Sequence, residues 1–118
     1  MEGLKQRIET LYECGFVDDA GKADLYRIVE ILQNHGIETN DDNTGVLVTH
    51  VAAALKRSAD GEIVTPLDAE VLEQVKEIEK YEEAVTIQKE ILDSMTHKLS
   101  ADEQDFVLVH IGTILESV

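Results

Sequence analysis

Two histidines, His50 and His110, are the residues of this chain best suited to covalent chemistry. Each is flanked by apolar residues three and four positions away, so each imidazole is expected on an apolar helix face. A neutral imidazole nitrogen is a nucleophile near pH 7, and its phosphorylated form stays reactive enough to pass the group on. The structural alternative is a histidine at the edge of the core, hydrogen-bonded to a neighbour.

Arg57 is the candidate phosphate-binding residue. It follows His50 by seven residues, about two helical turns, so both side chains lie on one side of the helix. A phosphoryl group brings roughly -1.5 to -2 charge, and the planar guanidinium fork suits phosphate oxygens. An ordinary ion pair with one of the many carboxylates explains Arg57 equally well.

The remaining histidines and the cysteine do not indicate a metal site. Metal sites on helices usually have Glu-x-x-His or His-x-x-x-His spacing, and neither surrounds His50 or His110. Cys14 is alone, which excludes an internal disulfide and a cysteine-based cluster. His35 and His97 lie near predicted helix ends, where a partly charged ring interacts with the last carbonyls. We therefore expect no metal, no cofactor and no catalytic turnover.

The charge balance is strongly acidic, with 25 Asp and Glu residues against 10 Lys and Arg and a net charge of -15. Nucleic-acid phosphates are bound by clustered Lys and Arg, and the sequence has no such cluster, so we expect no direct nucleic-acid binding. The first residues lack the apolar core of a signal peptide, and no apolar run approaches the ~20 residues that span a bilayer. We expect a cytoplasmic protein without membrane contact.

Hydrophobic spacing predicts an all-α fold, a helical bundle of about five to six helices in one domain of residues 1–118. We expect a turn over residues 58–61, a fourth helix starting at Thr65-Pro66, and a last helix starting near Ala101. Ser100 and Glu103 form a capping box at that start, which gives Glu103 a structural role. The helices of the two candidate histidines have the widest apolar surfaces, so they should form the central pair and bring those histidines together.

From about residue 20 to the end, the chain resembles the phosphotransferase-system regulation domain, the PRD of sugar-responsive bacterial antiterminators and transcription activators. The resemblance rests on three segments of the sequence: THVAAALKR around His50 and Arg57, the following GEIVTPLDAEVLEQVKEIEKYEEAV, and DEQDFVLVHI, which ends at His110. The interval between the two histidines is also similar. Residues 1–17 form an extra N-terminal helix without a counterpart.

The resemblance implies a helical bundle, usually a homodimer, in which His50 and His110 are phosphorylation sites. Phosphotransferase-system phosphocarrier or EIIB-type proteins supply the phosphoryl group. The modification is expected to report sugar transport and to alter dimerisation or partner binding. Because this chain has one copy and no room for an attached effector domain, a separate transcription regulator is a possible partner.

Two positions depart from the family pattern: Thr49 stands where an aspartate is common before the first histidine, and Thr65 where an asparagine is frequent. These departures keep a second hypothesis open, a helical interaction or dimerisation module that is not phosphorylated. A third is a metal-dependent helical enzyme that uses His50, His110 and nearby carboxylates.

Overall fold

The computed structural model describes residues 2–62, 68–96 and 98–117, and these form six helices. The described residues contain no strand, so the predicted all-α class is confirmed. Thr65 and Pro66, where we expected the fourth helix to start, lie outside the described residues, as does His97. In chain order the helices are α1 (Glu2–Glu13), α2 (Asp19–Asn34), α3 (Thr44–Asp60), α4 (Ala69–Lys76), α5 (Tyr81–Ser94) and α6 (Ala101–Ser117).

The N-terminal helix α1 is an integral part of the bundle. Its apolar residues Leu4 and Ile8 are fully buried, and the helix packs on α2 and α3. At its surface, the Arg7 guanidinium donates to both carboxylate oxygens of Asp41 at 2.6 and 3.0 Å. Burial of this helix extends the hydrophobic core that the later helices share.

Helix α2 is capped at both ends by neighbouring residues. The Asp18 carboxylate accepts a hydrogen bond from the Gly21 amide at 2.8 Å and caps the first turn. At the other end Gly36 has φ of 79°, and the Ile37 amide donates to the Leu32 carbonyl at 3.1 Å. The neighbouring residue His35 is bound to the Glu90 carboxylate on α5, a partner that helix-end reasoning did not predict.

A buried carboxylate joins α2 to the segment after α5. Asp24 is fully buried, and its oxygens accept hydrogen bonds from the Thr96 amide at 3.0 and 3.1 Å. Arg27, one turn further along α2, donates to Asp24 at 3.2 Å and also binds the Ser94 carbonyl. These bonds hold the start of the connection that leads into α6.

Helix α3 is longer than predicted. We expected a turn over residues 58–61, but the helix continues to Asp60, and Gly61 at φ of 74° ends it. An ion pair between Lys56 and Asp60, four residues apart at 3.5 Å, supports this last turn. The correction keeps Arg57 inside a regular helix, which fixes its direction relative to His50.

Helix α6 is central, in contact with α3, α4 and α5. Its buried apolar side chains are Val107, Leu108, Ile111, Ile114 and Leu115. Gly112 lies under the end of α4 and the residues that follow it, where a β-carbon would come within 3.2 Å of the Ile78 Cδ1 atom and 3.6 Å of the Val75 Cγ1 atom. The predicted pairing of α3 with α6 is confirmed, and their histidines can therefore meet.

Candidate functional site

The two histidine side chains lie against each other where α3 crosses α6. Their ring centroids are 4.9 Å apart, with an interplanar angle of 51°. The Phe106 ring, one turn before His110, lies 5.1 Å from the His50 ring. The predicted convergence of His50 and His110 is confirmed as geometry, and their phosphorylation stays a prediction.

Arg57 is engaged by a carboxylate of α6. Its Nη2 atom donates to the two oxygens of Glu103 at 2.9 and 3.1 Å, and its Nε atom donates to one of them at 3.2 Å. Of the two explanations that the sequence left open, the ion pair is present in the structure. Phosphate binding by Arg57 would therefore require competition with Glu103.

Glu103 is the site residue that sequence reasoning missed. The capping box is half formed, because the Ser100 hydroxyl accepts from the Glu103 amide at 3.3 Å while the Glu103 carboxylate turns to Arg57. Glu103 precedes His110 by seven residues, just as Arg57 follows His50 by seven. On antiparallel helices these matching intervals bring the two charged side chains together, and that spacing was the available signal.

His50 is held in an electrostatically mixed environment. Its Nε2 atom lies 3.5 Å from the Glu103 Oε1 atom but makes no hydrogen bond, and it is the one buried polar side-chain atom among the described residues without such a bond. Burial lowers the pKa of His50 below its usual value of 6.5; Glu103 raises the pKa and Arg57 lowers it, and the net direction is down. The ring is therefore neutral at pH 7.

The surroundings of His110 differ from those of His50, because His110 lines a surface cleft of about 200 Å³. The cleft is also lined by Asp42, Asn43, Val46, Thr113 and Ile114. Burial lowers the pKa of His110, and the neighbouring His50 lowers it further. A second neutral imidazole is thus available at pH 7, here beside a solvent-filled space.

Thr49, the departure next to His50, has a partner on the N-terminal helix. Its hydroxyl oxygen accepts a hydrogen bond from the Arg7 Nη1 atom at 3.0 Å. The same guanidinium binds Asp41, so one arginine of α1 joins the turn before α3 to the residue before His50. This link lies on the side of α3 that faces α1.

The described residues offer no ligand set for the metal-dependent alternative. No group of three or more His, Cys, Asp or Glu side chains among them is placed to hold a metal ion. Cys14 is exposed and unpaired as a thiol. No helix in the described part of the chain is long and apolar enough to cross a membrane.

Comparison with known proteins places these residues in a family. The family model of the PRD domain matches residues 26–114, a segment that includes His50, Arg57, Glu103 and His110. The chain is also 23% identical over 109 residues to a protein of Escherichia coli (strain K12) described as "Uncharacterized protein YhfY", covering 92% of this chain and 91% of that protein. No solved structure matches the chain. Because the family model spans most of the sequence, the chain belongs to the PRD domain family.

Proposed function

We propose that this PRD domain is a cytoplasmic regulatory module that accepts a phosphoryl group on histidine from phosphotransferase-system proteins. It would signal through altered dimerisation or through binding to a separate transcription regulator, without catalytic turnover and without touching nucleic acid itself. The observation that carries the proposal is the contact of two imidazoles, 4.9 Å apart, beside an arginine and at the edge of a surface cleft. Neutral rings have the lone pair that phosphoryl transfer needs.

Transfer of the phosphoryl group from the donor protein to a histidine needs no further reactant. A lone pair on one ring nitrogen of His50 or His110 attacks the phosphorus atom, and a nitrogen–phosphorus bond forms. The bond from phosphorus to the phosphorylated phosphocarrier or EIIB-type donor breaks, and its electron pair stays on the donor atom. The other ring nitrogen of the acceptor keeps its hydrogen, so the step needs no external base.

The charge of the product explains how modification could become a signal. A phosphoryl group adds about -1.5 to -2 charge to a chain that already carries -15. The new charge would appear at the contact between α3 and α6, where Arg57 already acts electrostatically on the His50 ring. Val46 lines the same cleft and is 52% exposed, which supports an interface with a partner or a second copy at this surface.

The direct test is acid-labile phosphate on the purified protein after incubation with phosphorylated phosphocarrier and EIIB-type proteins. We expect phosphate on the wild type and none on the His50→Ala, His110→Ala double variant. His35→Ala is the matched control, because His35 lies at a helix end away from the site, and it should be labelled like the wild type. Absence of label from the wild type with both donors would refute the proposal.

A second candidate function is the interaction module that is not phosphorylated, and one observation favours it. Arg57 already has a bidentate partner in Glu103, so the unmodified site is electrostatically satisfied without a phosphate. A reporter assay in cells distinguishes the two candidate functions. If phosphorylation carries the signal, the His50→Ala, His110→Ala double variant should lose the sugar-dependent reporter response. An unchanged response would favour the interaction module.

A further inference from the structure

The two histidines touch, yet their surroundings differ. The Nε2 atom of His50 is buried and faces the Glu103 carboxylate at 3.5 Å. His110 instead lines the surface cleft of about 200 Å³, next to the exposed side chain of Val46. The volume of the cleft is several times the about 30 Å³ that one water molecule occupies in the liquid. The cleft therefore has room for a phosphoryl group, which has only four heavy atoms.

We propose that Glu103 makes the two histidines unequal acceptors by shielding His50, so that His110 is the residue that reacts with the donor in the unmodified protein. The inference rests on the proposed function and assigns Glu103 as a positioning residue of that site. Glu103 itself is only 5% exposed and is held in place by Arg57.

The first argument is electrostatic. A phosphoryl group approaching the Nε2 atom of His50 would meet a carboxylate in a poorly solvated place, where like charges repel more strongly than in water. The cation that could offset this repulsion is Arg57, but its fork is bound to Glu103 by three hydrogen bonds. Phosphorylation there would require Glu103 to leave first.

The second argument concerns the tautomer of His50. A carboxylate favours a hydrogen rather than a lone pair on the nearest ring nitrogen, so Glu103 favours the form with hydrogen on Nε2. The lone pair then lies on Nδ1, which is bonded to Cγ and therefore sits closer to the crowded helix backbone. In the tautomer that Glu103 favours, Nε2 of His50, the ring nitrogen farther from the backbone, has no lone pair available for attack.

Among the residues that the structure describes, no carboxylate shifts the pKa of His110 as Glu103 shifts that of His50. Of the groups that line its cleft, Asp42 is charged but exposed to solvent, which screens its effect. The hydroxyl of Thr113, an uncharged group, donates to the Val109 carbonyl at 3.0 Å. The open cleft therefore gives a donor protein a route to His110 that it does not have to the buried nitrogen of His50.

The experiment locates the phosphoryl group by mass spectrometry at neutral pH in wild type, Glu103→Gln and Asp102→Asn after incubation with phosphorylated phosphocarrier and EIIB-type proteins. In the wild type, label on His110 should exceed label on His50 by at least about tenfold. Glu103→Gln removes the charge and frees Arg57, so the share of label on His50 should rise severalfold. Asp102→Asn removes the neighbouring carboxylate of the same helix and should keep the wild-type distribution.

The outcomes separate this inference from the function on which it rests. Equal label on both histidines of the wild type, or a preference for His50, would overturn the shielding role and leave the proposed function intact. A Glu103→Gln variant that folds and keeps the wild-type distribution would also overturn it. No label on either histidine of any of the three proteins would refute the proposed function itself.

Discussion

At the scale of single residues, the proposed phosphoryl transfer depends on keeping two imidazoles neutral. Burial is the main cause that lowers the pKa of both His50 and His110. The same burial makes each ring costly to protonate in the native state, because a charged ring would lose solvation. The stability of the fold should therefore respond to pH through these two side chains.

We predict that acidification destabilises the native state through His50 and His110. In the unfolded chain both titrate near the usual value of 6.5, and in the native state below it. Between those values the unfolded chain binds more protons, so the free energy of unfolding falls as the pH drops below 6.5. Above 6.5 both rings are neutral in either state and this dependence disappears.

Urea unfolding at about pH 7.5 and about pH 5.5 measures the effect as a difference between proteins. The double variant His50→Gln, His110→Gln should lose part of the acid-induced destabilisation. Phe106→Leu changes the same cluster without removing a titratable group, so it should keep the wild-type pH response. An identical response in the double variant would show that neither imidazole is protonated on unfolding.

The residue scale also shows where sequence reasoning succeeded and failed. The pairing of His50 with His110 followed from helical spacing, since apolar faces must meet. The direction of the Glu103 carboxylate did not follow, because a capping box and an interhelical ion pair use the same residue and local sequence cannot decide between them. Asp24 could not be predicted either, since its full burial depends on the Thr96 amide, which lies 72 residues away in the sequence.

At the scale of elements, helix α1 is the part of the fold with no counterpart in the family match, which starts at residue 26. The existence of α1 was predictable from its apolar spacing. Its position against α2 and α3 was not, because amphipathic spacing shows which face of a helix is buried but not which helices pack on it. Leu4 and Ile8 are fully buried there. The helix therefore contributes to the core from which α3 presents His50.

We predict that Ile8→Ala lowers the free energy of unfolding by about 2–5 kcal/mol, the usual cost of truncating a fully buried large aliphatic side chain. Ile8 is 0% exposed, so its removal leaves a cavity under α1. Lys5→Ala is the control on the exposed side of the same helix and should change stability little. Chemical denaturation compares the two, and equal small effects would mean that α1 is not part of the cooperative unit.

At the scale of the whole molecule, the excess of negative charge sets how the chain can respond to modification. Every added phosphoryl group increases a repulsion that the net charge of -15 already creates. The sign of the response depends on whether Arg57 can take up the new charge, and in the unmodified protein Arg57 is bound to Glu103. An interface that includes the cleft of His110 should loosen when the charge is added.

We predict that His110→Asp, an approximate mimic of phosphorylation, shifts the protein toward monomer or toward a less compact dimer. Adding Arg57→Ala to this variant should shift it further, because the nearest cation is lost. Light scattering and thermal unfolding measure both effects, with His35→Asp as a control for the same charge at a distant helix end. A His110→Asp protein as dimeric and stable as wild type, with or without Arg57, would place this cleft outside any interface.

The contact of Arg7 with Asp41 and Thr49 has a consequence for the evolution of the domain. One guanidinium on the helix outside the family match binds the residue beside His50, so positions 7, 41 and 49 form a unit whose members cannot change independently. A relative that lacks a helix like α1 would have no such arginine, and its residue at position 49 would not be selected for a hydrogen bond to that helix. In relatives that carry the helix, we expect correlated substitutions among these three positions, inherited together across lineages.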